Sequence, residues 1–188
     1  TLISAPLQSI IEMDIPNENL QKNLSYIKQN TNNLLDLINQ LLDFRKVDSH
    51  KFLLSFRKAN INSLLKNIVD QFQQQAKSAN KTLKLISIRE EDITAIIDKE
   101  GFTKIINNLL SNAVKYSKQA IEVTLNYDKT YFTIKVTNDG EIIPEELRER
   151  IFEPFFQVKA LNREVSGSGI GLSLARSLTE LHGGHLYY

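Results

Sequence analysis

The chain has 188 residues, 41% of them hydrophobic and 24% charged, a balance that suits a globular protein of one or two domains. A formal net charge of +1 offers no strong field to nucleic acid or an anionic membrane, and a count of zero cysteines excludes disulfides, thiolate nucleophiles and cysteine metal sites. No apolar run reaches membrane-spanning length and no secretory signal is visible. The opening residue is Thr1, so the chain is expected to be a piece of a longer protein, with any anchor outside it.

Residues 1–13 carry helical spacing through Ile3, Leu7, Ile10 and Ile11, with Pro6 placed to kink the helix, and residues 14–17 form a connection. A long helix is predicted from about Asn17 to about Val47. Its seam is Leu20, Leu24, Ile27, Thr31, Leu34, Ile38 and Leu41, in alternating steps of four and three, which is a heptad pattern. Leu35, Leu37, Leu42 and Phe44 widen the stripe beyond what one hairpin can bury. The pattern predicts a dimer built as a four-helix bundle of two hairpins; packing of the stripe on the following domain is the alternative.

Asp48, Ser49, His50 and Lys51 make a polar junction, so the expected division is 1–50 and 51–188, with His50 a solvated linker residue. Phe52, Leu54 and Phe56 alternate as a first strand. Asn60 or Asn62 can cap a helix to about Ala79, with Leu64, Leu65, Ile68, Val69 and Phe72 inward. Leu83, Leu85, Ile86 and Ile88 mark a strand, and residues 95–98 a shorter one feeding a central helix from about Lys99. Ile121, Val123 and Leu125 alternate, as do Phe132, Ile134 and Val136, around a turn at 128–130, which predicts an antiparallel hairpin. The fold class is α+β, a helical hairpin followed by a layer of helices on one face of a sheet.

Residues 107–117 are the centre of the chain. Leu109, Leu110, Ala113 and Val114 form an apolar helical face, while Asn108 and Asn112, four apart, share one side that Lys115 and Tyr116 extend. That edge could hold a metal and an anion; a surface helix rich in Asn is the plain alternative. Of the 7 glycines only Gly101 precedes the stretch that begins at Asn138-Asp139-Gly140. Gly167-Ser168-Gly169-Ile170-Gly171-Leu172 opens an amphipathic helix carrying Leu174, Ala175, Leu178 and Leu181, and glycine at a helix start lets backbone N–H groups approach phosphate. No strand adjoins it, so the arrangement is not the dinucleotide-binding one.

Four motifs therefore stand in order: 108–116, Asn138-Asp139-Gly140, Ile151-Phe152-Glu153-Pro154-Phe155-Phe156, and 167–172. Together they resemble the N, G1, F and G2 boxes of two-component sensor histidine kinases, over about 52–188. The run Leu41-Leu42-Asp43-Phe44-Arg45-Lys46-Val47 resembles that family's dimerisation and histidine-phosphotransfer hairpin, and the linker is similar to hybrid sensor kinases of Bacteroidetes. The resemblance implies a sandwich of the histidine kinase, gyrase, Hsp90 and MutL ATPase type, using ATP and Mg²⁺. It implies that Asn112 ligates Mg²⁺, a hard cation suited to a carboxamide oxygen, and that Asn108 supports the metal's water shell. Asn108 and Lys115 would be catalytic, Lys115 by neutralising phosphate charge. Tyr116 would lie near the base or ribose, and Asn138, Gly140, Ile143 and Phe155 would complete the nucleotide pocket. Gly167, Gly169, Ile170, Gly171 and Leu172 would bring backbone to the triphosphate, under a mobile lid at 157–166. Phe152, Phe155 and Phe156 would anchor that lid or pack in the core.

Hydrolysing relatives in the resembling superfamily carry Glu where Asn108 stands, as a general base for water. A carboxamide cannot take that proton, so the implied reaction is transfer of the γ-phosphate to a histidine imidazole, for relay to the aspartate of a response-regulator receiver domain. The implied assembly is a homodimer through residues 1–47, without nucleic-acid or membrane contact by this fragment, in the cytoplasm, with the parent anchored in a bacterial inner membrane. Two departures stand out. The acceptor His is expected roughly two helical turns before Thr1, and His50, His182 and His185 do not fall where the motif needs it, so the chain alone is not expected to autophosphorylate. The adenine-recognising Asp falls on Asn138 and a second glycine on Ile142. Asn138 Oδ1 can still accept from the adenine amino group, at a loss of about 1 kcal/mol of charge assistance, while Asp139 alternates to the other side. Final strands are expected beyond Tyr188, leaving a sheet edge open. A nucleotide-sensing pseudokinase scaffold and an ATP-hydrolysing enzyme are the alternative functions.

Overall fold

A computed structural model describes residues 7–8, 10, 18–49, 53–87, 92–128, 130–158 and 168–188. The expectations for Ile3, Pro6, Ile11, residues 14–17, His50, Lys51, Phe52, Ile88, Lys129, Gly167 and lid residues 159–166 lie outside the described residues.

Helix α1, Glu18–Asp48, follows the heptad stretch. Leu24 is buried, but Ile27, Leu34, Ile38, Leu41 and Leu42 are 43–55% exposed. Among the described residues, its last turns meet the following elements, where Phe44 and Val47 pack on the main core. The stripe as a whole is therefore not covered, among the described residues, by the following domain, the alternative raised from sequence.

Among the described residues the first strand is β1, Arg57–Asn60, and residues 53–56 of the expected alternating run lie outside it. The reason lies in where the preceding amides go. Ser55 N–H donates to Asp98 Oδ2 at 2.7 Å rather than into a ladder, and Leu53 is 91% exposed. Helix α2, Ile61–Ser78, starts at Asn60, whose Oδ1 accepts from Ser63 N–H at 2.9 Å. Asn62, the other candidate cap, instead accepts from Ile93 N–H at 2.8 Å and holds the approach to β3. Then come β2, Thr82–Ser87; β3, Thr94–Ile97; α3, Lys99–Tyr116; β4, Ala120–Asp128; and β5, Tyr131–Asn138. Two short 3₁₀ turns, Glu145–Leu147 and Arg150–Phe152, precede α4, Gly171–Leu181.

The strands form two sheets where one was expected. β1 pairs antiparallel with β3, while β2 runs parallel to β4 and β4 antiparallel to β5. β1 and β3 are four residues each, and each leads straight into a helix: β1 ends on the capping residue Asn60, and β3 is followed at once by the capping residue Asp98. The parallel β2–β4 pair needs a long crossover, and α3 lies within it. Ile121, Val123 and Leu125 alternate inward along β4 and are buried with Leu65, Val69, Ile106, Leu110, Leu174 and Leu178 from the three helices. Helices thus cover one face of the three-stranded sheet. Among the described residues the outer edge of β5 has no strand partner.

Asp98 fixes the start of α3. Its Oδ1 accepts from Gly101 N–H at 2.6 Å and its Oδ2 from Ser55 N–H, while its own N–H donates to His182 Nε2 at 3.2 Å. His182 Nδ1 lies 2.7 Å from Leu178 O and must be the donor there, which leaves Nε2 as the acceptor. Phe56 packs edge-on against the imidazole, ring centroids 5.5 Å apart. Burial pushes the Asp98 carboxyl up, but the Gly101 and Ser55 amides, with His182 beside it, hold it below the ordinary value. A depressed carboxyl stabilises the fold above its unfolded-state pKa, and that stability is lost as pH falls through the lower folded value. Asp98→Ala is expected to cost about 2–4 kcal/mol, from a lost cap and two orphaned amides. Urea unfolding at neutral pH checks the size, and Asp98→Asn should flatten the acid limb of stability against pH.

Candidate functional site

The predicted site residues fall on three features: the exposed edge of α3, the turn at 138–140, and the loop entering α4. On α3, Leu110, Ala113 and Val114 are buried, whereas Asn108, Asn112 and Lys115 are half-buried and Tyr116 is 47% exposed. Asn108 Nδ2 donates to Lys104 O at 2.8 Å, which orients the carboxamide and leaves Oδ1 facing outward from the helix. Lys104 itself is gripped by Asp43 of α1 at 2.8 Å and by Glu100 one turn earlier at 2.9 Å. Desolvation lowers the Lys104 ammonium, but those two carboxylates outweigh it and hold its pKa above the ordinary lysine value. Lys115 Nζ sits 4.9 Å from the centre of the Tyr116 ring.

Gly171 opens α4 directly against Asn108. A methyl at Gly171 would lie 2.6 Å from Asn108 Oδ1. Among the described residues the α4 N-terminus has no side-chain cap, which leaves its first N–H groups for an anion. One residue before the turn into α4, Gly169 has φ +70° and packs on the backbone of Phe155, where a methyl would stand 2.7 Å from the carbonyl carbon. Phe155 also has positive φ, +64°, a strained conformation for an aromatic residue, and its N–H donates to Gly169 O at 2.9 Å. Ser168 Oγ accepts from Ile170 N–H at 3.2 Å and donates to Gln40 Oε1 of α1 at 2.9 Å. Leu172 follows half-buried on the first turn of α4.

The other aromatics divide. Phe152 is buried beneath the Arg176 guanidinium, 3.8 Å from the ring centre, and so packs in the core, while Phe155 is 61% exposed beside the glycine loop. Phe156 is half-buried under Arg150. At the 138–140 turn, Gly140 lies against Tyr116 O, with no room for a side chain, and its N–H donates to Asn138 Oδ1 at 2.9 Å. The Asp139 carboxylate points elsewhere, accepting from Lys118 N–H at 2.8 Å and Gln119 N–H at 3.0 Å. Desolvation raises that carboxyl, but backbone hydrogen bonds at Ala120, Gln119 and Lys118 win and hold it below the ordinary range.

The structure therefore brings Asn108 to Gly171, Tyr116 to Gly140, and Phe155 to Gly169. Ile143 is half-buried, and its N–H donates to Tyr188 Oη at 3.3 Å. Ile142 is 81% exposed. Two buried side-chain oxygens beside the edge, Asn107 Oδ1 and Ser117 Oγ, have no hydrogen-bond partner among the described residues.

Such a site fits a magnesium polyphosphate. The glycines present backbone where a Cβ would intrude, an open helix N-terminus favours anions, and a lysine stands on the adjoining helix edge. Among the described residues there is no group of three or more His, Asp or Glu able to hold a metal alone. A hard cation here would take the carboxamide oxygens together with oxygens of the polyphosphate itself. Sequence reasoning missed Lys104, the Gln40–Ser168 link and the role of His182. The spacing of Glu100 and Lys104 was a signal for one of these; the others join elements remote in sequence.

Residues 97–188 match the family described as Histidine kinase-, DNA gyrase B-, and HSP90-like ATPase. Over 98% of the chain the sequence is 36% identical to Histidine kinase P4 of Formosa agariphila, and spans 14% of that protein's length. Among solved structures, full-length ShkA in complex with AMPPNP has a TM-score of 0.76 at 20% identity, covering 96% of this chain and 39% of that one, a likeness of fold. Histidine kinase ThkA in complex with the response regulator protein TrrA has a TM-score of 0.70 at 22% identity, covering 98% of this chain and 52% of that one, again a likeness of fold.

Proposed function

We propose, from the match of residues 97–188 to the histidine kinase-, DNA gyrase B-, and HSP90-like ATPases and the likeness of the chain to a histidine kinase, that this is the catalytic core of a two-component sensor histidine kinase, which binds ATP with Mg²⁺ and transfers the γ-phosphate to a histidine on the dimerisation helices. The histidine imidazole nitrogen attacks the γ-phosphorus in line, the bond to the bridging oxygen breaks, and ADP leaves. The observation that carries this reading is Asn108, a carboxamide held by Lys104 O and pressed to the first residue of α4. It cannot remove a proton from water at neutral pH, so the site suits a nucleophile that needs no such base. Asn112 Oδ1 would hold Mg²⁺, with Asn108 acting on it indirectly, and the bound cation would neutralise polyphosphate charge. Lys115 draws the phosphates, and Tyr116, Asn138, Gly140 and Phe155 border the nucleoside. The glycines at 169 and 171 let backbone amides meet the phosphate chain.

The division at 1–50 and 51–188 rests on the end of α1 at Asp48. The exposed stripe of Ile27, Leu34, Ile38 and Leu41 supports a homodimer through α1. A receiver domain is the proposed next acceptor, by analogy with the TrrA complex of ThkA. No described helix is long and apolar enough to cross a membrane; a cytoplasmic position beside an inner-membrane anchor belongs to this proposal. His182, engaged at Asp98 and Leu178, does not act as the acceptor. The second reading, a nucleotide-sensing scaffold, draws on Asn138, whose Oδ1 already accepts from Gly140 N–H.

A version extended upstream, incubated with γ-labelled ATP and Mg²⁺, is expected to gain acid-labile, alkali-stable protein label. Lys115→Ala should cut that labelling about a hundredfold. Steady release of free phosphate without protein label would overturn the proposal.

A further inference from the structure

The connector at 117–119, between α3 and β4, is gripped from two sides by opposite charges. From the start of β2, Lys81 Nζ donates to Val114 O at 2.5 Å and to Ser117 O at 2.7 Å. Those carbonyls sit at the end of α3, where the last carbonyls lack intrahelical donors and the dipole favours a cation. From the end of β5, the Asp139 carboxylate accepts from the next two amides, Lys118 and Gln119. Thr82 N–H closes the connector by donating to Gln119 O at 2.7 Å. Ser117 is 3% exposed within this clasp.

Both grips act on the same few residues that join Lys115 and Tyr116 to the 138–140 turn. Asp139 lies between Asn138 and Gly140, and Gly140 rests on Tyr116 O. Its carboxylate therefore ties the turn to the far side of Tyr116, and Lys81 fixes the helix end that the turn rests on. We propose that Asp139, backed by Lys81, is a positioning residue that sets the separation between the α3 edge and the 138–140 turn, and so sets nucleotide affinity without touching the nucleotide. The inference rests on the nucleotide site proposed above.

Asp139 is exposed and outside the buried core, which separates its effect on binding from its effect on folding. The test measures ATP affinity with Mg²⁺, urea stability and amide exchange for wild type, Asp139→Ala, Asp139→Asn and Lys81→Met. Asp139→Ala is expected to raise Kd about tenfold, to expose the Lys118 and Gln119 amides to exchange, and to shift the Tyr116 and Gly140 amide signals together. Asp139→Asn, which keeps the Oδ1 acceptor, should recover most of the affinity. The double variant with Lys81→Met should lose less than the product of the single losses, since both hold one connector. Unchanged affinity in Asp139→Ala, with exchange freed, would overturn the positioning role. A joint loss of stability and affinity that Asn does not recover would also overturn it, in favour of a purely structural contact. A wild type that fails to bind ATP would instead sink the nucleotide site itself, and the inference with it.

Discussion

Gly169→Ala is expected to weaken ATP binding at least tenfold while leaving the fold in place. Two independent facts combine at this residue. Its φ of +70° is a conformation in which an L side chain costs about 1–2 kcal/mol. A methyl there would also stand 2.7 Å and 2.8 Å from Phe155 backbone carbons and 2.9 Å from Phe156 O. Backbone atoms cannot swing aside as a side-chain tip does, so the loop into α4 must part from the Phe155 turn and break the Phe155 N–H to Gly169 O bond. A penalty of about 1.4 kcal/mol in the binding-competent loop is already tenfold in Kd. The core beneath, from Leu174 to Leu178, is not altered. Displacement of a fluorescent ATP analogue measures the affinity, and circular dichroism the fold. Equal affinity in the variant would mean that this loop does not shape the nucleotide site.

Leu110→Ala has the complementary expected effect, a loss of about 3–4 kcal/mol in stability. Leu110 is fully buried in the cluster where α2, α3 and α4 meet the sheet. Alanine is the best helix former, so α3 itself loses nothing by the change. The whole cost comes from lost packing and the cavity left behind. Asn108 and Asn112 stand on the other side of the helix, half-buried. The folded fraction at low temperature should therefore still bind nucleotide, whereas urea unfolding should begin at much lower denaturant. A loss under 1 kcal/mol would mean that the cluster can collapse onto the gap.

The features legible from sequence are those whose physics is periodic or local. The α3 edge, the inward alternation of Ile121, Val123 and Leu125, and a helix cap at Asn60 or Asn62, of which the structure uses Asn60, each follow from spacing within a few residues. The same logic misplaced the first strand. Leu54 and Phe56 alternate as a strand would, but the Ser55 amide bonds Asp98, 43 residues away. The division into two sheets was likewise hidden, because it depends on which strands pair across long stretches of chain. Long-range polar contacts account for what sequence left unread at the site. Lys81 reaches the end of α3 across 33 and 36 residues, Ser168 meets Gln40 across 128, and His182 meets Asp98 across 84. No spacing rule links such pairs. Asp139 was legible only in part: alternation turns its carboxylate away from the Asn138 side, but only the fold supplies the amides it finds there.

The most direct test of the nucleotide site is calorimetric titration of ATP with Mg²⁺ into the wild-type chain and into Asn112→Asp. The wild type should give saturable one-site heat that the variant lacks, because a carboxylate at 112 would set a negative charge against the phosphates. Heat of equal size and affinity in both proteins, or none in the wild type, would contradict a metal–nucleotide site on the α3 edge.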